Sequence, residues 1–252
     1  MKQNILIMTS TIRPPADSPG MVRLDPALRM GDYKSALSFY LKQLGNGIDQ
    51  IIFVENSGSD LSELQELVAK RGAEASVYFH GYHGFTYPQI YGRCYGELRS
   101  LDEIMSTRIV ANLPGNTLFW KVTGRYKVIN LRNMIRTCPA DLDFYCDMRT
   151  TSRRPWFDMR FVAWTRTGYE AVLRGVFEEV REDEHQFRPG EETAFHVIEP
   201  RLLKTRSKTY WVREPFIEGI RAFDEQNWNR GRQLVVYWLR HLQRRTIGQP
   251  IF

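Results

Sequence analysis

At 252 residues the chain has the length of one α/β domain with an appendage. Its composition, 42% hydrophobic, 13% aromatic and 25% charged, excludes a fibrous, collagen-like or intrinsically disordered protein. The formal charge is +6, yet residues 201–252 hold 11 Lys and Arg against 4 Asp and Glu, so this stretch carries +7 and the first 200 residues −1. The basic excess, which suits a polyanionic or phosphorylated partner, is therefore a C-terminal property.

Three cysteines, Cys94, Cys138 and Cys146, show no CxxC spacing, which argues against a disulfide framework or a structural zinc and for a reducing compartment. The first residues, MKQNILIMTSTIRPP, have too short an apolar run for a signal-peptide core, and no run reaches the roughly 18 apolar residues of a bilayer span. The expectation is a cytoplasmic protein, soluble or peripheral on the inner face of the membrane.

In chain order, residues 4–8 (NILIM) read as a buried strand that ends in the polar Thr9-Ser10-Thr11. Residues 13–31, with four prolines and two glycines, read as a loop, and 33–44 as a helix capped by Asp32. A strand at 48–54, a polar loop at 55–60, a helix at 61–70 and a strand at 75–79 complete a βαβαβ unit, the opening of a mostly parallel sheet. Ligands of such sheets bind beyond the carboxyl ends of the strands, where the loops 9–13 and 55–60 fall. No GxGxxG follows the first strand and no GxxxxGK[ST] occurs, which excludes a dinucleotide Rossmann site and a P-loop.

Residues 80–97 (HGYHGFTYPQIYGRCYGE) read as a glycine-rich turn among aromatics, in which Arg93 is placed to meet a phosphate, followed by a helix over 98–108. Residues 117–130 (TLFWKVTGRYKVIN) read as a strand interrupted at 123–125, with Lys121, Arg125 and Lys127 emerging on one face. Such a row of cations fits either an anionic ligand or a solvated edge. Asp141, Asp143 and Asp147 share a face if 141–149 is a strand, a pattern open to a divalent-ion site or to caps and arginine pairs. A basic loop follows at 151–156, a strand at 159–164 and a helix at 169–180. The acidic stretch 178–192 leads into a helix starting near Glu191, whose first-turn carboxylates suit dipole compensation or a general base.

Taken in this order, the chain resembles nucleotide-sugar glycosyltransferases of the GT-A type over roughly residues 4–204. The resemblance rests on ILIMTST, on IIFVENSGSD and on the closing Glu191-Glu192 helix; GRCYGE followed by KVTGRY is similar to bacterial polysaccharide glycosyltransferases with a Gly-Tyr-Gly-Glu helix start and a Thr-Gly-Arg-Tyr strand. It implies a GT-A-like (Rossmann-like) α/β fold, a mixed, mostly parallel sheet flanked by helices, with a catalytic domain over 1–204 and a basic C-terminal helical extension over 205–252. It also implies transfer of a sugar from a nucleotide-sugar donor to a hydroxyl of a glycan or lipid-linked acceptor, in surface polysaccharide synthesis.

The same resemblance implies site roles. Thr9, Thr11, Glu55, Asn56 and Ser57 would bracket the nucleotide, and Arg93, Lys121 and Arg125 the diphosphate. An inverting reaction needs a base, for which Glu192 comes first, with Glu191, Asp147 and Glu199 behind it. Where GT-A enzymes carry Asp-x-Asp, this chain has Thr123-Gly124-Arg125-Tyr126. Lys and Arg can stabilise a departing diphosphate in place of an ion, so the favoured expectation is a metal-independent transferase without a cofactor. The alternative assigns Mg²⁺ or Mn²⁺ to Asp141 and Asp143.

Residues 222–245 contain a basic helix with an aromatic and aliphatic face, suited to packing on the domain or to lying on an anionic membrane. The competing class is a basic nucleic-acid-binding protein, against which stand the nearly neutral first 200 residues and the absence of a helix-turn-helix, RRM or zinc-finger pattern. A sugar nucleotidyltransferase would share the sheet but usually opens with a glycine-rich loop and a Lys that this chain lacks.

Overall fold

The run at residues 5–8 is buried on both sides because its side chains alternate between two layers. Ile5 and Ile7 enter one apolar cluster, Leu6 and Met8 the other. In the computed structural model, which describes residues 2–18, 20–149, 154–185 and 188–246, this run is the centre of β1 (Asn4–Ser10). Residues 151–153 of the expected basic loop lie outside the described residues. After β1 come α1 (Pro26–Leu41), β2 (Gln50–Glu55), α2 (Ser62–Ala69) and β3 (Val77–Gly81). The middle of the chain supplies α3 (Gly92–Met105), α4 (Arg108–Ala111), β4 (Leu118–Thr123), β5 (Lys127–Val128) and α5 (Leu131–Arg136). Then follow β6 (Phe144–Tyr145), β7 (Met148–Arg149), β8 (Trp156–Phe157), β9 (Phe161–Thr165) and α6 (Arg166–Val172). The last elements are α7 (Gly190–Leu202), β10 (Ser207–Lys208), β11 (Ile217–Glu218) and α8 (Gly231–Thr246).

The main sheet has seven strands in the order β10-β6-β9-β4-β1-β2-β3, and β9 alone runs antiparallel to its neighbours. It is a mixed, mostly parallel sheet with helices on both faces. One layer packs α3, α6 and α7 through Leu98, Val172 and Ile198; the other packs α1 and α2 through Leu37, Tyr40 and Leu64.

Three departures from the expected elements bear on the site. First, α1 begins at Pro26, inside the expected loop. The Asp25 carboxylate accepts from the amides of Ala27 (2.7 Å) and Leu28, and Pro26 needs no donor partner in a first turn. Asp32, expected as the cap, instead pairs with Arg23 at 2.7 Å. Second, α3 starts at Gly92 rather than residue 98, because its glycines serve close packing: a side chain at Gly96 would collide with the Tyr87 hydroxyl. Third, the interruption after β4 turns the chain out of the main sheet. The Gly124 amide donates to Thr9 O at 2.8 Å, and β5 pairs with β11 instead. Lys121, Arg125 and Lys127 therefore share no face; Lys127 pairs with Glu218 at 2.9 Å.

The stretch beyond residue 204 contributes β10 to the edge of the main sheet and β11 to the β5 ribbon. Arg244 of α8 is buried against Asp147 (2.9 Å) and Glu214, which fastens the helix to the body.

Candidate functional site

At the carboxyl ends of β1 and β4 a cavity of about 770 Å³ opens, the place where a parallel sheet leaves room between diverging loops. Thr9, Thr11 and Asn56 line it. Thr11 Oγ1 donates to Asn56 Oδ1 at 2.7 Å, and Asn56 Nδ2 donates to Ser100 Oγ at 3.2 Å, so the two strand-end loops are tied to α3. Glu55 and Ser57, the other expected nucleotide contacts, do not line the cavity. The Glu55 carboxylate is fully buried and accepts from the amides of Ile12, Ser57 and Ser59, each at 3.0 Å, which makes it the staple of both loops.

Lys121 lies under this floor, 1% exposed, and does not line the cavity. Its ammonium donates to Glu97 Oε1 and to the carbonyl of Met159. The same Glu97 oxygen accepts from Thr9 Oγ1 at 2.8 Å and Thr123 Oγ1 at 3.0 Å. Burial opposes the charge on Glu97, but the adjacent Lys121 outweighs it and holds the carboxyl below its usual range. Glu97 was overlooked in the sequence although it closes the GRCYGE segment.

Arg125 does line the cavity and is 6% exposed. Its Nη1 donates to Ile220 O at 2.8 Å, its guanidinium lies 5.3 Å from the Tyr126 ring centre, and its buried Nε has no hydrogen-bond partner among the described residues. Beside it Arg29, 3% exposed and also lining the cavity, donates to Thr11 O (2.6 Å), Arg23 O (3.1 Å) and the Tyr33 hydroxyl (3.2 Å). Burial lowers the pKa of Arg29, and the like charge of Arg125 adds to that. The field of Asp32 reaches both guanidiniums, but that carboxylate is itself bonded to Arg23. Two buried cations thus face open volume with neutral hydrogen-bond partners, an arrangement that favours an anion between them. No sequence motif marked Arg29, which sat in the stretch read as a loop.

Across the cavity, Arg93, Glu182 and Glu191 come together where α3 and α7 begin. The meeting is close because both helices start on glycine: a side chain at Gly190 would overlap Cys94, and one at Gly92 would overlap Glu182. Burial raises the Glu191 carboxyl above its ordinary range, with Arg93 opposing; burial likewise raises Glu182, and the charge of Glu191 adds to it. Glu192 and Glu199, on the same helix, do not line the cavity. Asp147 does not line it either; 2% exposed, it pairs with Arg149 at 3.1 Å and Arg244 at 2.9 Å.

The remaining wall is built from β7, β8 and the C-terminal stretch. Asp158 receives Arg149 (2.8 Å) and Arg160 and is held well below the usual carboxylate range despite its burial. Arg160 in turn lies 4.0 Å from the Trp228 ring centre. Arg240 of α8 lines the cavity and is pushed down to about 10 by burial and by Arg149.

The residues after β4 do not fit a divalent ion, since Arg125 brings a buried positive charge to the position where the resemblance puts an Asp-x-Asp pair. Asp141 and Asp143 sit instead at the other end of the strands, before β6 and beside the residues that precede β1 and β4. Asp143 is engaged by Arg206 through two bonds of 2.9 and 3.0 Å, which hold its carboxyl down. Among the described residues no three His, Cys, Asp or Glu side chains are grouped to hold a metal, and no helix is long and apolar enough to cross a membrane.

Neither a protein-family model nor a curated protein matches the sequence. Among solved structures, the chain is similar to a protein described as a nucleotide-diphospho-sugar transferase from Desulfovibrio desulfuricans G20, at 8% identity and a TM-score of 0.48 over 82% of this chain and 79% of that one. It is also similar to a 4-diphosphocytidyl-2C-methyl-D-erythritol synthase from Anaerococcus prevotii, at 12% identity and a TM-score of 0.44 over 82% and 86% of the two chains. A cytidylyltransferase from Leptospira borgpetersenii gives 14%, 0.36, and coverage of 82% and 74%. These are likenesses of chain course; the chemistry of the site rests on its own residues.

Proposed function

We propose that the protein is a glycosyltransferase that moves a sugar from a nucleoside-diphosphate donor to an acceptor hydroxyl, with arginine in place of a metal ion at the diphosphate. The observation that carries this reading is the pair Arg29 and Arg125, buried cations with neutral hydrogen-bond partners that line a cavity at the carboxyl ends of parallel strands. Thr11 and Asn56 supply the polar edge for the nucleoside. Glu191 is the base: its carboxylate takes the proton of the acceptor hydroxyl while the oxygen attacks the anomeric carbon. The bond from that carbon to the diphosphate breaks, and its electron pair leaves with the phosphate oxygen, stabilised by Arg29 and Arg125. A carboxyl raised by burial is suited to that role because its affinity for a proton is closer to neutral pH. Glu191 replaces Glu192 as the first candidate since it alone of the two faces the cavity.

The test is a thermal-shift series in EDTA with UDP-, GDP-, dTDP- and CMP-sugars. A ligand that binds the folded state raises its apparent stability, so one of the diphosphate sugars is expected to raise Tm in the chelator, and Arg125→Ala to shift that rise to higher donor concentration. A rise that requires Mn²⁺, or none with any donor, defeats the reading. Pyrophosphate release from a nucleoside triphosphate plus a sugar phosphate would assign nucleotidyl transfer instead.

A further inference from the structure

One face of α8 is accounted for and the other is not. Gln233, Val236, Tyr237 and Arg240 line the cavity, and Arg244 is buried against Asp147 and Glu214. Two residues further on at each step, about 200° round the helix at roughly 100° per residue, lie Val235, Trp238, Leu239 and Leu242. They are 58%, 54%, 44% and 55% exposed and follow the i, i+3, i+4, i+7 spacing of a single stripe. Four large apolar side chains in a row on one helix mark a contact surface rather than the scattered exposure usual in a soluble domain.

Charge identifies the occupant. The helix carries four arginines and no carboxylate. Arg232 and Arg245, one near each end of the stripe, are exposed, and Arg230 just before the helix is exposed as well. A second copy of the chain would bring these arginines against their like, with no acidic group on either helix to pair them. An anionic lipid surface supplies apolar depth for the stripe and negative headgroups for both ends.

We infer that α8 docks the protein on the surface of an anionic bilayer through Val235, Trp238, Leu239 and Leu242, with Arg230, Arg232 and Arg245 on the headgroups. The inner face of the same helix is a wall of the cavity, so docking holds the cavity within about one helix diameter, ~10 Å, of the headgroups. An acceptor carried by a lipid would then be presented at the cavity without leaving the membrane plane. The docking itself does not depend on the transferase reading, and its test uses no nucleotide.

The test is co-sedimentation of the full chain with vesicles of phosphatidylcholine and with vesicles that also contain phosphatidylglycerol. The protein is expected to pellet with the anionic vesicles and to be released by raised salt. Trp238→Asp with Leu242→Asp should weaken binding at least about tenfold, since each change removes an apolar anchor, while Tm stays that of the wild type. Arg232→Ala with Arg245→Ala should weaken it by about fivefold per arginine on anionic vesicles. Trp238→Phe should bind as the wild type. No pelleting with anionic vesicles, or equal pelleting of the double Asp variant, overturns the inference. So does light scattering that shows a dimer dissociated by Trp238→Asp, which would assign the stripe to self-association.

Discussion

The floor and the wall of the cavity each contain buried positive charge, four residues apart in the chain, and they treat it differently. Beneath the floor, Lys121 is closed off by Glu97, and two threonine hydroxyls complete the same oxygen. In the wall, Arg125 stands beside Arg29 with carbonyls and phenols for company and a buried Nε that has no partner among the described residues. A cation compensated by its own protein holds structure, whereas one lacking a bonded carboxylate at an open cavity is available to a ligand. Burial alone would not separate them, because Lys121 is 1% and Arg125 6% exposed.

The largest test of this difference lies in the floor. Removing the Glu97 charge leaves the buried Lys121 ammonium uncompensated, so Glu97→Gln should cost about 3–5 kcal/mol in urea unfolding, and Lys121→Met, which leaves a carboxylate that still reaches the cavity, somewhat less. The double variant should recover most of that loss. Single losses below about 1 kcal/mol would mean that the pair is not the closed unit described. Next is Glu191→Gln, for which turnover should fall by roughly 10²–10⁴ while the donor-induced rise in Tm persists. Arg125→Ala follows, with donor affinity lowered about 10- to 100-fold, the value of hydrogen bonds to a charged group. Its Tm should not fall, because no carboxylate among the described residues is bonded to Arg125 and none is left stranded; a destabilised variant would place Arg125 in the same class as Lys121.

The smallest effect is on pH. Glu191 is raised above its ordinary 4.5 by burial. The stability linked to it is full below that value and is lost as pH rises through the folded-state value. Glu191→Gln should thus melt with the wild type in acid and above it at neutral pH. Identical curves across the range would show that the carboxyl is not desolvated.

The β1 to β3 half was legible in the sequence because its strands are short apolar runs buried on both faces and its loops are polar. The same reading misplaces the start of α1, because the prolines and glycines of residues 13–31 spell a loop while Asp25 and Pro26 already form a complete helix start. Of the expected site residues, Thr9, Thr11, Asn56, Arg93, Arg125 and Glu191 line the cavity. Lys121 and Glu55, expected at the diphosphate and the nucleotide, are instead structural: Glu97 of α3 holds the first, and the Ile12 amide from the other strand-end loop joins the local Ser57 and Ser59 amides on the second, contacts that spacing does not reveal. Arg29, Glu182, Asp158 and Arg240 reach the cavity only through tertiary packing, and no local pattern announces them.

The bond between Arg244 and Asp147 spans 97 residues. At a synthesis rate of about 5–20 residues per second, Arg244 follows Asp147 out of the ribosome by roughly 5–20 s. Throughout that interval Asp147 has Arg149 but not Arg244 against it, and the cavity lacks one wall. The cavity is consequently a late product of translation, and a chain interrupted before α8 lacks the part of its wall that Gln233, Val236, Tyr237 and Arg240 supply.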